Sequence, residues 1–252
     1  MSMNTPSPSM TGRLARMTPT QLRSMLSHDL GTAAIWLAAA AHEGMPAAQL
    51  SYGRMLLDGR GVGQDQTAAL QWFRRAAATG DADALNMVGR CIENGWGTAA
   101  DVGAAAHWYR RAANLSHAWA EYNLAHLYLN GFGVERDPEL AFALYGRAAA
   151  QGHVRAMNLL GRCHEEGIGT APDFGAAIGW YRRSAEGGYS RGQFNWATLL
   201  LKAGQAELAA DWFLRAANGG TDAVRQAVIH LAQASKHACL HALACRLDVL
   251  PA

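Results

Sequence analysis

The chain has 252 residues, half of them apolar and 17% charged, and its formal net charge is +2. A balance this close to neutral argues against nucleic acid as the main partner, because phosphate binding requires a concentrated basic surface. No apolar run reaches the roughly 18 residues of a membrane-spanning helix, and residues 1–16 lack the apolar core of a secretion signal. We therefore expect a protein that acts in the cytoplasm without contacting a membrane.

The N-terminal region differs in composition from the rest of the chain. Residues 1–17 are rich in Ser, Thr, Pro and Met and are predicted to form a disordered tail. Thr18-Pro19 combines a helix-capping residue with a proline suited to the first helical position, so a helix is predicted to begin there. A second helix is predicted from Asp29 to His42. These two helices would form an incomplete first unit.

Several residue types then recur along the chain every 36 residues. An Ala-Ala pair, a tryptophan, an aspartate and a Gly-x-Gly motif all keep this interval. The Gly-x-Gly motifs are Gly59/Gly61, Gly95/Gly97, Gly131/Gly133 and Gly167/Gly169. A period of this length is typical of a solenoid, in which one supersecondary unit is stacked repeatedly.

The repeats divide the chain into an array and a closing segment. The array is predicted to cover residues 18–221, and residues 222–252 are predicted to be capping helices with a break near Ser235. Within the array, four full repeats and a shorter fifth follow the incomplete first unit, over about 46–81, 82–117, 118–153, 154–189 and 190–221.

One repeat, residues 82–117, illustrates the predicted local structure. Leu85, Val88 and Ile92 follow the spacing of one helical face. Gly95 is suited to end that helix in the left-handed conformation, and Asp101 is suited to cap a second helix. A helix–loop–helix hairpin of this kind cannot bury its apolar face alone. The predicted fold is therefore all-α, a right-handed α/α superhelical solenoid.

The repeat resembles the Sel-one-like repeat, a relative of the tetratricopeptide repeat, over residues 29–220. The resemblance implies a scaffold or adaptor protein and not an enzyme. Secreted members often carry a disulfide in each repeat, which this chain lacks, so the resemblance also favours the cytoplasm. The second repeat carries the motif as Ala84, Gly89, Gly95, Gly97, Asp101, Trp108, Tyr109, Arg111, Ala112 and Ala113.

Two repeats depart from this motif at one position each, the second repeat at its end and the third repeat in its second helix. Ser116 stands where other repeats have a linking glycine, as at Gly80 and Gly152. Leu144 stands where they have tryptophan. Both departures concern the local geometry of the hairpins and leave the predicted fold unchanged.

One repeat position suggests a binding surface. It holds Arg54, Arg90, His126 and Arg162. If the first helix of each hairpin lines the concave face of the solenoid, this position points into the concave groove. Arginines there suit a protein or peptide partner that carries carboxylates. In the alternative interpretation, the arginines pair with glutamates of their own helices. The glutamates are Glu93, Glu165 and Glu166; the proposed groove neighbours are Asn86, Asn158, Trp119, Tyr122 and Phe194.

Other candidate sites are weaker. His164 stands at a position of bulky core residues, where a buried, neutral and hydrogen-bonded histidine is expected. His237, His241 and Cys245 are spaced by four residues, but one metal ion could contact at most two of them. These residues define the alternative function, a small enzyme or metal-binding protein. The favoured hypothesis is a non-catalytic bacterial scaffold with no cofactor.

The cysteines also favour a reducing compartment. Cys91 and Cys163 occupy the same position of alternate repeats, 72 residues apart, which places them beyond disulfide reach. Both are predicted to be small core residues. Cys239 and Cys245 lie on one predicted helix, a poor arrangement for a disulfide.

Overall fold

The computed structural model describes residues 29–249, and every regular element in that range is an α-helix. The predicted tail of residues 1–17 and the predicted helix after Thr18 lie outside the described residues. The thirteen helices are α1 (Leu30–His42), α2 (Pro46–Asp58), α3 (Gln66–Ala77), α4 (Ala82–Asn94), α5 (Val102–Ala113), α6 (Ala118–Asn130), α7 (Pro138–Ala150), α8 (Val154–Glu166), α9 (Phe174–Glu186), α10 (Ser190–Lys202), α11 (Ala206–Gly219), α12 (Asp222–Ala234) and α13 (Ala238–Val249).

These helices belong to two compact units. The first comprises the described residues up to Leu127 together with Gly131–Glu135, and the second comprises Tyr128–Asn130 and the described residues from Arg136 onward. In the first unit each helix from α1 to α5 contacts the next one, and in the second the same holds from α7 to α13. Each unit is therefore a stack of helical hairpins, as the 36-residue period predicts.

Side-chain caps start the helices where the sequence indicates. The aspartates that recur every 36 residues accept hydrogen bonds from backbone N–H groups of the second helices; Asp65 and Asp101, for example, lie 2.8 and 2.9 Å from the nitrogens of Ala68 and Ala104. The first helices are capped less uniformly, since Asp81 caps α4 in the same way but other first helices begin with a different residue. His117 and His153 cap α6 and α8 through Nδ1, at 3.2 and 3.1 Å from a backbone nitrogen. The histidine caps were not predicted, because histidine is not among the preferred capping residues.

Each Gly-x-Gly loop depends on glycine for two different reasons. The first glycine, such as Gly95, ends the first helix in the left-handed conformation. The second, such as Gly97, also has a positive φ and lies directly against the first turn of the second helix in the preceding repeat. A Cβ on Gly97 would overlap the carbonyl oxygen of Gln66, and one on Gly61 would overlap that of Leu30. The loop is thus a structural joint between consecutive repeats.

Within a hairpin, small residues face aromatic rings. Gly89 on α4 lies against the ring of Tyr109 on α5, and Gly161 on α8 lies against that of Tyr181 on α9. Both rings are almost fully buried. The close approach of the two helices is therefore filled by one large side chain per hairpin.

The constant spacing of tryptophan and arginine in the second helices of this chain produces stacked pairs. The guanidinium of Arg111 lies 4.6 Å from the centroid of the Trp108 ring, in the geometry of a cation–π interaction. The same pair recurs as Trp72/Arg75, Trp180/Arg183 and Trp212/Arg215, at 4.5 to 4.8 Å.

The last two helices join the core of the final repeat. Helix α12 ends at the predicted break, since Ser235 is its C-cap residue. Val228 of α12 and Leu240 of α13 are fully buried in one apolar cluster with Phe213 of α11. This contact supports the prediction that residues 222–252 cap the array.

Two of the cysteines lie in the core. Cys91 and Cys163 are buried free thiols, whereas Cys245 is an exposed one. Burial raises the pKa of both the Cys91 and the Cys163 thiol to about 11. This burial agrees with their predicted role as small core residues. The raised pKa keeps both thiols neutral, and a neutral thiol is a poor nucleophile.

We expect Gly97→Ala to destabilise the protein by about 2–5 kcal/mol, from the left-handed backbone and the overlap with Gln66 together. Gly80→Ala is the matched control. Gly80 also has a positive φ, but nothing lies within 4 Å of an added Cβ, so only about 1–2 kcal/mol is expected. Urea denaturation measures both values. Equal losses would show that the loop contact contributes nothing beyond the backbone conformation.

We expect removal of residues 222–252 to cause aggregation or the loss of cooperative unfolding, because it exposes the apolar faces of α10 and α11. Light scattering and thermal melts followed by circular dichroism measure this. A monomeric truncated chain with an unchanged melting temperature would contradict the capping role.

We expect a maleimide reagent near pH 8 to modify Cys245 rapidly and to leave Cys91 and Cys163 unmodified. A thiol with a pKa near 11 is about 0.1% thiolate at that pH, and burial blocks access as well. Peptide mass spectrometry identifies the modified residues. Adding denaturant should make the cysteines react at similar rates. Equally fast modification of Cys91 in the folded protein would disprove this.

Candidate functional site

Three of the four residues at the predicted binding position lie on successive first helices of the first unit. Arg54 on α2, Arg90 on α4 and His126 on α6 are all exposed. Arg54 has an acidic partner, because its Nη2 lies 3.3 Å from Oδ1 of Asp83. The same Asp83 oxygen lies 3.3 Å from Nε2 of His117. The charge of Arg54 is thus partly balanced from within the chain.

Arg90 is different because no carboxylate in residues 29–249 forms an ion pair with it. Its guanidinium lies 5.4 Å from the centroid of the Trp96 ring. Its Nη1 lies 3.7 Å from the sulfur of Met87, which is a weak acceptor. Arg90 therefore presents a positive charge that an outside carboxylate can neutralise.

Arg54 and Arg90 line the same pocket, which has a volume of about 440 Å³. Its apolar lining comes from Leu57, Met87 and Trp96, and its polar lining includes Asp58. Gln64 also lines it and is held in place by a 2.8 Å hydrogen bond from its Nε2 to the Leu57 carbonyl. We call this the Arg90 pocket. Sequence reasoning missed Trp96, although an aromatic residue between two loop glycines, also seen at Phe132, was the available signal.

Aromatic side chains extend along the next first helix, α6. The Trp119 side chain is exposed and Tyr122 is half-buried, with 6.2 Å between their ring centroids. His126 lies 6.2 Å from the ring of Phe132, which is also exposed. Four neighbouring aromatic rings on one helix and its following loop form an amphipathic surface.

Three predicted groove residues lie elsewhere. Asn86 and Asn158 are buried, and each accepts a hydrogen bond from an asparagine of the next first helix, at 3.1 and 2.9 Å. They link neighbouring first helices. Phe194 is half-buried and packs against Phe213 at 5.4 Å between ring centroids. The structure therefore places these three side chains within the packing of the repeats.

Arg162 follows the alternative interpretation, because it pairs with a glutamate of its own helix. Its Nε lies 2.9 Å from Oε1 of Glu166, and this hydrogen bond raises the pKa of Arg162. Glu93 and Glu165 instead accept hydrogen bonds from the hydroxyl groups of Tyr109 and Tyr181, at 2.5 and 2.7 Å. Burial and these bonds raise the pKa of both tyrosines, so they remain neutral donors.

The residues of the alternative function do not assemble into a site. His164 is half-buried and not fully buried as expected, and its Nδ1 has no hydrogen-bond partner among the described residues. Its ring meets Phe142 edge-on at 5.2 Å. His237, His241 and Cys245 are exposed. Across residues 29–249, no three His, Cys, Asp or Glu side chains are arranged to hold a metal ion. None of the thirteen helices is long and apolar enough to cross a membrane.

Several solved structures have the same fold. A Sel1 repeat protein from Oxalobacter formigenes is 24% identical, with a TM-score of 0.80 over 91% of this chain and 96% of that one. A protective antigen of uropathogenic Escherichia coli with an SLR fold is 28% identical, with a TM-score of 0.71 over 90% of this chain. This chain spans half the length of that antigen. An immunity protein from Pseudomonas aeruginosa is 18% identical, with a TM-score of 0.51 over 72% of this chain and 70% of that one.

The sequence itself matches the model of the Sel1 repeat in five copies. No curated protein matches this chain. The copies cover residues 46–81, 82–117, 120–153, 154–189 and 190–221, which agrees with the predicted repeats within two residues. The predicted α/α solenoid is confirmed, and the chain belongs to the Sel1 repeat family.

Proposed function

We propose that this chain is a non-catalytic scaffold whose first unit binds an extended segment of a partner protein. Sel1 repeat proteins are generally protein-interaction scaffolds. The observation that carries the proposal is the placement of Arg54 and Arg90, from consecutive repeats, in one pocket. The partner segment would lie across α2, α4 and α6.

The chemistry of this face supports a protein partner. Exposed aromatic side chains and arginines are enriched at protein interfaces, because both contribute large contact areas and directional hydrogen bonds. Trp119 is 46% exposed, which is unusual for so large an apolar group. Backbone and aromatic groups of an extended peptide would pack on Trp119 and Tyr122, while a carboxylate would pair with Arg90.

The pairing of the arginines narrows the kind of partner. Arg54 is bound to Asp83 and Arg162 to Glu166, so a continuous ladder of free guanidinium groups does not exist. The capacity to bind a carboxylate is concentrated at Arg90. A partner with few carboxylates, placed at that point, fits better than a densely acidic one.

We also place this scaffold in the bacterial cytoplasm. Four free cysteines support a reducing compartment. The structural relatives from Escherichia, Oxalobacter and Pseudomonas support a bacterial source.

We expect the double charge reversal Arg54→Glu/Arg90→Glu to reduce partner capture by at least about tenfold, because each introduced carboxylate repels the partner carboxylate that the arginine attracts. The matched control is Arg74→Glu/Arg191→Glu, two exposed arginines on α3 and α10. Capture on the tagged full chain is measured by quantitative mass spectrometry.

The melting temperature must be measured for both double variants, and only a small decrease is expected, because the Arg54–Asp83 pair is exposed and exposed ion pairs contribute about 0–1 kcal/mol. Undiminished capture by the Arg54→Glu/Arg90→Glu variant would disprove the proposed surface. Equal loss in the control variant would show a nonspecific effect of charge.

A further inference from the structure

We propose that the Arg90 pocket binds the C-terminal residue of the partner segment, through its free carboxylate and an apolar last side chain. This inference rests on the proposed function and specifies which part of the partner is bound. It follows from the charges, the lining and the size of the pocket.

The charges in the pocket suit a single carboxylate. Arg54 already contacts Asp83, which leaves Arg90 as the pocket guanidinium with no ion pair. Asp58 adds a negative charge to the lining. An acidic stretch would bring further carboxylates toward Asp58, and like charges without compensation oppose binding. A single carboxylate at Arg90 brings the least negative charge toward Asp58.

The apolar lining requires that the carboxylate be attached to an apolar group. Leu57, Met87 and Trp96 line the same pocket as Arg90. An internal aspartate or glutamate brings a carboxylate with only one or two methylene groups. A C-terminal Leu, Ile, Val, Met or Phe carries both a carboxylate and an apolar side chain on one Cα. Its amide N–H can also donate a hydrogen bond to the Asp58 carboxylate.

The size of the pocket is consistent with a terminal residue. Its volume of about 440 Å³ lies within the range of roughly 300–1,000 Å³ that is typical of small-ligand sites. This is enough for one side chain and the terminal carboxylate, while the preceding residues would continue across α4 toward Trp119 on α6.

The corresponding position in the fourth repeat lacks these features. Arg162 is bonded to Glu166 at 2.9 Å, and Ile168 stands in its loop where Trp96 stands in the second repeat. Arg162 therefore offers a control at the same repeat position, with the same side chain but no free charge.

The test begins with two peptide display libraries panned against the purified full chain. In one library random heptapeptides end in a free carboxylate, and in the other the same heptapeptides are followed by a neutral linker. We expect enrichment only in the first library, with apolar last residues. A fluorescent peptide from that library is then measured by anisotropy as the free acid and as the C-terminal amide.

We expect amidation to weaken binding by at least about tenfold, and Arg90→Gln to weaken binding of the acid by a similar factor. Amidation should have little further effect on Arg90→Gln, since the interacting pair is already lost. Arg162→Gln should bind the acid like the unmodified chain. Melting temperatures of both variants check that the fold is retained.

Three results would overturn the inference: no enrichment of free C-termini, equal binding of acid and amide, or unchanged binding by Arg90→Gln. If Arg54→Glu/Arg90→Glu nonetheless loses its partner, the proposed binding surface stands and only the C-terminal mode is wrong. If that double variant also keeps its partner, the proposed function itself fails.

Discussion

Direct backbone contact between the second glycine of each Gly-x-Gly loop and the preceding repeat is the constraint on which the rest of this structure depends. At Gly61, Gly97 and Gly169, an added Cβ would overlap a carbonyl oxygen in the first turn of the second helix one repeat earlier. The missing side chain lets two backbones touch, which fixes how closely one hairpin follows the next. Because the spacing is the same at each joint, residues 36 positions apart occupy equivalent places in their hairpins. This is why Arg54 and Arg90 line one pocket although they are distant in sequence.

Local signals predicted most of the fold and little of the site. The aspartate caps, the glycine helix ends and the break near Ser235 each depend on a few adjacent residues, so the sequence displays them directly. The pairing of polar side chains depends instead on which residue of the next repeat lies opposite. Asn86 is bound by Asn123, 37 residues away, and Arg54 by Asp83, 29 residues away. No periodicity indicates whether such a side chain is buried, paired or free.

The second and third repeats show how far the stack can override local preference. Ser116 has a φ of 58°, the one positive value among non-glycine residues in the described part of the chain. It occupies the place of Gly80 and Gly152, so the turn keeps its conformation although serine disfavours it by about 1–2 kcal/mol. Leu144 replaces the tryptophan and is 4% exposed, so it still fills the core without a ring for an arginine to stack on. Helix α5 is as long as α3, and α7 is as long as α9, which indicates that packing between hairpins, more than local propensity, holds these two repeats in place.

A repeated scaffold supplies positions, and the residues around each position decide its chemistry. The same place on the first helix holds Arg54 beside Asp83, Arg90 beside Trp96, His126 beside Phe132 and Arg162 beside Glu166. Of these neighbours, Glu166 and Asp83 each balance an arginine charge, whereas the Trp96 ring carries no charge to balance that of Arg90. These neighbours are at least partly exposed, so exchanging them costs little stability. Ligand specificity in such an array can therefore change one repeat at a time, while the glycine joints, the tyrosines and the buried asparagines keep the stack unchanged.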